Sequence, residues 1–333
     1  MKRRAFLGAL GAGLAGVAVG PRRLLGAADV FAERWSWAMG QSVHLMVFAG
    51  SEAEGLDACA AALDELRRVE TRLTLFDDRS DLSELNRHAG RAAMRVDRDL
   101  SAMLRLALGY KHLSGGAFDP AVEPLMCAWG FHRPRTTPPS PAELDEARQA
   151  VRAAVVQLDG DRAWLPSAHT QLDFGGIGVG YGIERVLWVL QERGIRRAFV
   201  DVSGDCAALG APPGAEGWRV DVADPARPGE IMATVPLRDA ALATSANTMS
   251  VVRYGRAVRG HIMNPVTGWP AHALLQASVV ARSAVAADAL STAMVVSGRP
   301  PREGGVLRVV TARTADGTAR GPAPGRARAP GPA

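Results

Sequence analysis

The chain has few cysteines, almost no lysine and no long run of strongly hydrophobic residues. Among its 333 residues are three cysteines, Cys59, Cys127 and Cys206, which are odd in number and widely spaced. That pattern excludes a disulfide framework and a cysteine-based zinc cluster. Lys2 and Lys111 are the only lysines, so arginine supplies the other basic residues.

The charge balance likewise argues against a basic surface that binds nucleic acid. The formal net charge is +5, and residues 1–28 contain five basic residues and no acidic one, which equals the whole excess. The rest of the chain is therefore close to neutral, and the basic pI says little about partners. We expect no nucleic-acid partner.

The first 28 residues have the layout of a twin-arginine export signal. Arg3 and Arg4 precede Phe6 and Leu7, and a weakly hydrophobic Gly/Ala run leads to small residues at 26–28 that suit cleavage. A membrane anchor is the alternative, but the run is short and poorly hydrophobic for a bilayer span. No cysteine follows it, which argues against a lipid anchor. We expect an exported, periplasmic protein whose contact with a membrane comes only through a partner.

Residues 29–312 are predicted to form one α+β domain with mixed sheets flanked by helices. An alternating strand precedes a helix that Ser51 and Glu54 begin as a capping box, and Asp99 is expected to cap a later helix. Strands and helices do not alternate regularly, which argues against a doubly wound sheet. Residues 313–333 are rich in Pro, Gly, Ala and Arg and are expected to be disordered.

The stretch at residues 172–184, LDFGGIGVGYGIE, places five glycines around Asp173. A strand at 171–174 and a helix at 181–193 are predicted on either side, so the loop would present helix N-terminal N–H groups to a phosphate. One alternative is a Rossmann site with Asp201 on the ribose, although GxGxG departs from the GxGxxG spacing. The other is a tight turn with close helix packing.

Two later segments carry candidate chemistry. His261 comes shortly before an Asn264-Pro265 turn, and a histidine held by turn chemistry is a candidate general base or a structural residue. Asp288 and Thr292 stand four residues apart on one face of an otherwise apolar helix. Their oxygens suit Mg²⁺, whereas the alternative is a simple capping or helix-to-loop hydrogen bond.

Eight separated segments, in order, resemble a known family. They are MGQSVHL, DRSDLSELN, GAFDPAVEPLMCAWGF, LDFGGIGVGYGIE, VDVSGD, LATSAN, HIMNPVTGW and ADALSTAMVVSG. Together they are similar to the ApbE family, the FAD:protein FMN transferases, over about residues 35–310. The resemblance implies an ApbE-like α+β fold.

The resemblance also implies roles for individual residues. Asp288, Thr292 and the backbone carbonyl of Gly176 would hold Mg²⁺, with Asp288 acting in catalysis, and His261 would be the base for the attacking hydroxyl. Val179 stands where many relatives have lysine, which would remove a cation from the phosphate site. The positions that would contact FAD are Met39, Phe76, Ala117, Phe118, Asp119, Asp173, Gly178 and Ser245.

The implied reaction moves FMN from FAD to a Thr or Ser hydroxyl of a client redox protein and releases AMP. Such a reaction calls for a metal to neutralise the phosphates and a base near the hydroxyl. A Tat-exported branch of the family serves a regulator of nitrous oxide reduction, and the sequence does not choose among clients. Two alternatives are an FAD pyrophosphatase and a non-catalytic flavin-binding chaperone. The glycine loop and Asp201 suggest a further alternative, a NAD-dependent oxidoreductase.

Overall fold

A computed structural model describes residues 29–300 and 304–312. The predicted export signal at 1–28 and the predicted tail at 313–333 lie outside the described residues, and both stay predictions. Within the described part, no helix combines the length and the apolar character needed to cross a lipid bilayer.

The described chain contains strands and helices in irregular order. The strands are β1 (Val30–Ala38), β2 (Gln41–Ala49), β3 (Met94–Arg95), β4 (Gln157–Asp159), β5 (Arg162–Trp164), β6 (Arg197–Val202), β7 (Asp205–Leu209), β8 (Trp218–Ala223), β9 (Ile231–Leu237), β10 (Ala240–Ala246), β11 (Val251–Tyr254), β12 (Ala257–Gly260), β13 (Gln276–Ala281) and β14 (Val306–Ala312). The helices are α1 (Glu52–Leu73), α2 (Asp81–Arg87), α3 (Arg98–Leu113), α4 (Glu123–Ala128), α5 (Pro141–Arg152), α6 (Gly178–Glu192) and α7 (Ala284–Ser297).

The main sheet has seven strands in the order β1-β2-β6-β7-β10-β13-β14, and every neighbouring pair is antiparallel. The predicted α+β class is confirmed. A Rossmann site needs parallel strands with crossover helices, so the Rossmann interpretation with Asp201 is wrong. Asp201 instead lies on β6 and accepts a hydrogen bond from the backbone N–H of Gly204 at 2.7 Å.

The sheet lies between three helices and a hairpin. Helices α1, α6 and α7 pack on one face, where their apolar residues join those of the central strands in one buried cluster. The β8–β9 hairpin covers the other face, and Trp218 on β8 is fully buried against Phe199 and Phe48. Burial on both faces explains why the central strands are nearly continuous runs of apolar residues.

Side-chain caps fix where several helices begin. Ser51 caps α1 by accepting from the Glu54 N–H at 3.2 Å, and Ser140 with Glu143 forms a complete capping box on α5. The prediction that Asp99 caps α3 is wrong by two residues, because Asp97 accepts from the Leu100 N–H. Asp99 lies inside the first turn, where it is held by other side chains.

The glycine segment differs from its prediction in two ways. Residues 171–174 form no strand, and α6 begins at Gly178, not at residue 181. A Cβ on Gly180 would lie 2.5 Å from the Ala284 carbonyl oxygen on α7, and one on Gly182 would lie 2.6 Å from a Leu66 methyl group on α1. These two glycines therefore serve close helix packing, which was one of the alternatives for this segment.

Helices α4 and α5 hold the loop that follows β12. The Trp129 indole N–H, just after α4, donates to the Gly268 carbonyl at 2.8 Å, and the Tyr254 hydroxyl donates to the Trp129 carbonyl at 2.6 Å. Trp129 is fully buried in a small cluster with Leu144 of α5 and Met263 of the loop. These contacts fix the loop that carries His261.

Replacing Gly180 should test the close approach of α6 and α7. Gly180→Ala places its Cβ against backbone atoms of α7, so we expect unfolding to become easier by about 1–3 kcal/mol. Gly109→Ala on α3 is the matched control, since no atom lies within 4 Å of its added Cβ, and it should stabilise by up to about 1 kcal/mol. Urea denaturation of both variants provides the measurement, and equal effects of the same sign would contradict the packing argument.

Candidate active site

The first turn of α6 and the middle of α7 form a cradle lined by oxygen atoms. Asp288 of α7 is buried, and its Oδ2 accepts a hydrogen bond from the Gly180 N–H at 2.9 Å. One turn later on α7, the Thr292 hydroxyl lies 3.0 Å from where a Cβ on Gly176 would stand. The absence of side chains on these two glycines is what lets the backbone of the loop reach the Asp288 and Thr292 oxygens.

Ser245 on β10 joins the same cradle from the sheet. Its hydroxyl lies 2.8 Å from the Ser291 hydroxyl and 3.0 Å from the Thr292 hydroxyl. Each pair is a hydrogen bond in which either oxygen can donate. This hydroxyl network ties the Thr292 side chain of α7 to β10.

A second carboxylate, Asp205 at the start of β7, faces Asp288. Asp205 Oδ1 accepts from the Thr244 N–H at 2.9 Å. Burial raises the pKa of Asp205 well above its usual range, and the charge of Asp288 raises it further. Burial also raises the pKa of Asp288, whereas the hydrogen bond from the Gly180 N–H lowers it. Among residues 29–300 and 304–312, neither carboxylate forms an ion pair with a lysine or arginine.

This donor set fits a hard divalent cation. The Asp288 carboxylate, the Thr292 hydroxyl and the Gly176 carbonyl are oxygen donors, which Mg²⁺ prefers over nitrogen or sulfur. A buried carboxylate beside a half-buried one, with no cationic partner among the described residues, is electrostatically costly. A divalent cation would relieve that cost, and these residues would hold it.

His261 follows β12 and is fixed through its backbone N–H, which donates to the Ser250 carbonyl at 3.1 Å. Its ring Nδ1 is buried and has no hydrogen-bond partner among the described residues. Burial lowers the pKa of His261, the contact with Ser250 opposes this, and the nearby His132 lowers it further. The imidazole is therefore neutral near pH 7 and able to accept a proton.

Another group of polar side chains lies beside the loop that begins at Asp173. The His132 Nδ1 is 2.6 Å from Glu123 Oε2, and the Phe76 ring meets the His132 ring edge-on with centroids 5.4 Å apart. Asp173 Oδ1 accepts from the Gly175 N–H at 2.7 Å. Phe76 is 82% exposed, so a large apolar ring stands open to solvent beside these polar groups.

Comparison with known proteins identifies the family. The family model described as the ApbE family matches residues 39–305. This chain belongs to the ApbE family. A FAD:protein FMN transferase of Treponema pallidum is 34% identical over 259 residues, which are 72% of each chain. One from Salmonella typhimurium is 27% identical over 263 residues, 73% of this chain and 74% of that one.

Solved structures share the fold. The ApbE protein from Thermotoga maritima is 26% identical, with a TM-score of 0.76, and the match covers 85% of this chain and 94% of that one. The flavinyl transferase ApbE of Pseudomonas stutzeri has a TM-score of 0.70 at 24% identity, covering 80% of this chain and 85% of that one. The ApbE-like architecture expected from the sequence is therefore confirmed.

Met39, Phe118 and Ala117, which the resemblance to the ApbE family predicts to contact FAD, pack near α6 and the glycine loop. Met39, in the β1–β2 turn, packs against α6, because its sulfur would lie 3.0 Å from a Cβ on Gly182. Phe118 is buried, with a ring carbon 3.5 Å from the corresponding position on Gly176, and Ala117 packs beside it.

Three further predicted positions have contacts of a different kind. Asp119 is buried in an ion pair with Lys111 at 2.8 Å, which gives it a structural partner inside the fold. Gly178 donates its N–H to the Phe174 carbonyl at 2.7 Å. Val179 is buried in the main core cluster, so its side chain is a packing element of α6.

Sequence reasoning missed Asp205, Ser291, Glu123 and His132. Asp205 ends the VDVSGD segment, which was noted as a motif without a role for its last residue. Its position opposite Asp288 depends on the pairing of β7 with β10, which periodicity alone does not predict. Glu123 is the first residue of α4 and His132 follows that helix, and no spacing rule links them to Asp173, about 40 to 50 residues later.

The carboxylate pair predicts how stability without metal depends on pH. An Asp whose folded pKa is raised contributes stability that is complete below the unfolded value of about 3.9 and is lost as pH rises through the folded value. In EDTA, the wild type should therefore lose stability from about pH 4 to pH 8 more steeply than Asp205→Asn, which keeps the acceptor for Thr244 and removes the charge. Thermal unfolding measures this, with the exposed Asp57→Asn as control; parallel curves for all three proteins would contradict the repulsion.

Proposed function

We propose that this chain is a Mg²⁺-dependent FAD:protein FMN transferase that acts on a Thr or Ser hydroxyl of a client protein and releases AMP. The observation that carries the proposal is the oxygen-lined cradle of Asp288, Thr292 and Ser245, which has no cationic partner among the described residues. His261, whose ring Nδ1 is buried and unpartnered, is the candidate base. Relatives that carry the transferase name, described above, support the same reaction.

The chemistry is a displacement at the phosphorus atom of the FMN half of FAD. A new bond forms between the client hydroxyl oxygen and that phosphorus, and the bond from that phosphorus to the oxygen of the AMP phosphate breaks. His261 takes the proton of the attacking hydroxyl at its unpartnered ring nitrogen. When bound, Mg²⁺ neutralises the phosphate oxygens and the charge that develops on the leaving AMP.

The start of α6 supplies further stabilisation of the phosphates. The helix dipole places partial positive charge at this end, while the Gly178 and Gly180 N–H groups already donate to the Phe174 carbonyl and to Asp288. Gly175, Gly176 and Gly178 add no side chain at this end, and the Ile177 side chain is buried in the core. Because Val179 packs in the core, the helix dipole and the cation would balance the phosphate charge here in place of a lysine.

The client and the site of action are also proposals. Arg3 and Arg4 with the small-residue region at 26–28 support export by the Tat pathway, so we propose a periplasmic enzyme and a periplasmic or membrane-bound redox client. The open Phe76 ring supports a flavin or client contact on that side, since a large exposed aromatic gains free energy when a ligand covers it.

The first test compares the wild type with Asp288→Asn. The asparagine keeps an acceptor for the Gly180 N–H and removes the charge, so we expect AMP release and client labelling to fall by about 100-fold or more. Asp57→Asn on the exposed face of α1 is the matched control. FAD is incubated with Mg²⁺, with and without a Thr-containing client segment, and both AMP and flavin-labelled client are quantified.

The products separate the transferase from its rivals. Client-dependent AMP together with labelled client supports the transferase. AMP without labelling favours the pyrophosphatase, and FAD binding without AMP in wild type leaves a flavin-binding protein.

The pH dependence of the transfer tests His261. Because its pKa is lowered, the base stays neutral as pH falls through the ordinary histidine value of about 6.5, so the rate at saturating Mg²⁺ should stay level to below that pH. His261→Gln should lower the rate by about 100-fold to 10,000-fold, whereas the exposed His169→Gln should not. A wild-type rate that is half-lost above pH 6.5 would speak against this role.

A further inference from the structure

A second cluster of metal-ligating side chains lies outside the oxygen-lined cradle. Glu123, His132 and Asp173 each offer one ligand atom, and these three atoms all lie within 4.8 Å of one another. Glu123 begins α4, His132 follows that helix, and Asp173 stands before the glycine loop. Three different segments of the chain therefore converge on one point.

The three side chains are sheltered from solvent. The Glu123 side chain is 13% exposed and the His132 side chain is 18% exposed. Burial raises the pKa of Asp173, an effect that His132 opposes and Glu123 reinforces. Two partly buried carboxylates thus share one imidazole as their only close cationic partner among the described residues. Burial lowers the pKa of His132, but the hydrogen bond with Glu123 and the charge of Asp173 outweigh it and raise that pKa, so at most one positive charge faces two carboxylates.

The distances suit a metal ion of zinc size. Ligand atoms about 2.0–2.2 Å from a tetrahedral ion are about 3.3–3.6 Å apart. Around such an ion the 2.6 Å contact would lengthen, and any separation near the 4.8 Å limit would shorten by about 1 Å. The 2.6 Å contact between His132 Nδ1 and Glu123 Oε2 is a hydrogen bond. A bound metal ion would replace the proton of that hydrogen bond.

Neighbouring side chains hold the ligands in place. The Cys127 thiol donates to Glu123 Oε1 at 2.9 Å, which leaves Oε2 directed at His132. The Phe76 ring packs edge-on against the His132 ring. The Gly175 N–H holds Asp173 Oδ1. Partners of this kind orient metal ligands in many sites.

We propose that Glu123, His132 and Asp173 form a binding site for a borderline divalent ion of the Zn²⁺ class. An imidazole with two carboxylates matches the ligand preference of Zn²⁺, whereas the oxygen-only cradle at Asp288 matches Mg²⁺. Three protein ligands leave a fourth position for water or another donor atom. None of the three ligands is a cysteine, so the spacing of the cysteines in the sequence could not predict this site. This proposal does not depend on whether the chain transfers FMN.

Co²⁺ is a direct probe, because its visible absorption strengthens when it leaves octahedral water for a site of lower coordination. The untagged full chain is titrated with Co²⁺ in excess Mg²⁺ and without FAD or client, and Zn²⁺ is then added to displace it. We expect one Co²⁺ per chain, displaced by Zn²⁺. His132→Gln should weaken Zn²⁺ binding by on the order of 100-fold or more, since even outer partners of metal ligands contribute 10- to 100-fold.

Control variants separate this site from other sites. Asp288→Asn and the exposed His169→Gln should bind Co²⁺ as the wild type does. Glu123→Gln, which preserves shape, should weaken binding as His132→Gln does, and circular dichroism verifies that each variant is folded. Absence of Co²⁺ binding, binding that survives both ligand substitutions, or binding lost in Asp288→Asn would overturn the proposal. Because neither FAD nor client is present, such a result leaves the transferase assay unaffected.

Discussion

The hydrogen bond from the Gly180 N–H to Asp288 is the contact on which the site depends. It joins the first turn of α6 to the middle of α7, and it forms because a glycine at 180 lets the two helix backbones approach. The same approach brings Thr292 against Gly176 and, through the hydroxyl network, ties the cradle to β10. A bulkier residue at position 180 would push the two helices apart. The oxygen atoms that line the cradle would then also move apart.

Charge is arranged differently on the two sides of α6. On the outer side, Asp99 accepts from Arg68 at 2.5 Å and from the Tyr181 hydroxyl at 2.8 Å, and Glu65 pairs with Arg185 at 2.7 Å. These carboxylates have cationic partners and are satisfied within the fold. The Asp205–Asp288 pair has none among the described residues, and carboxylates whose pKa values burial raises in this way cluster at functional sites.

The sequence allowed prediction wherever the signal was local. Ser51 and Ser140 reveal helix starts because a cap acts within three residues, and the four-residue spacing of Asp288 and Thr292 places them on one helix face. The prediction that Asp99 caps α3 was wrong because Asp97, two residues earlier, is an equally good N-cap residue. Asp205 and the Glu123–His132–Asp173 cluster depend on strand pairing and loop packing between distant segments, which no local pattern encodes. The glycines of residues 175–182 were ambiguous because a phosphate loop and a close helix contact need the same residue.

The glycines that build the cradle also make its first helical turn intrinsically weak. Gly178, Gly180 and Gly182 each lower helix propensity by up to about 1 kcal/mol relative to alanine, so this turn is held by docking onto α7 and α1 and has little stability of its own. The seven-stranded sheet beneath has no such weakness in its central strands. Local opening of the α6 start therefore requires less free energy than global unfolding, and amide protons there exchange with solvent while those of β6 and β10 remain protected.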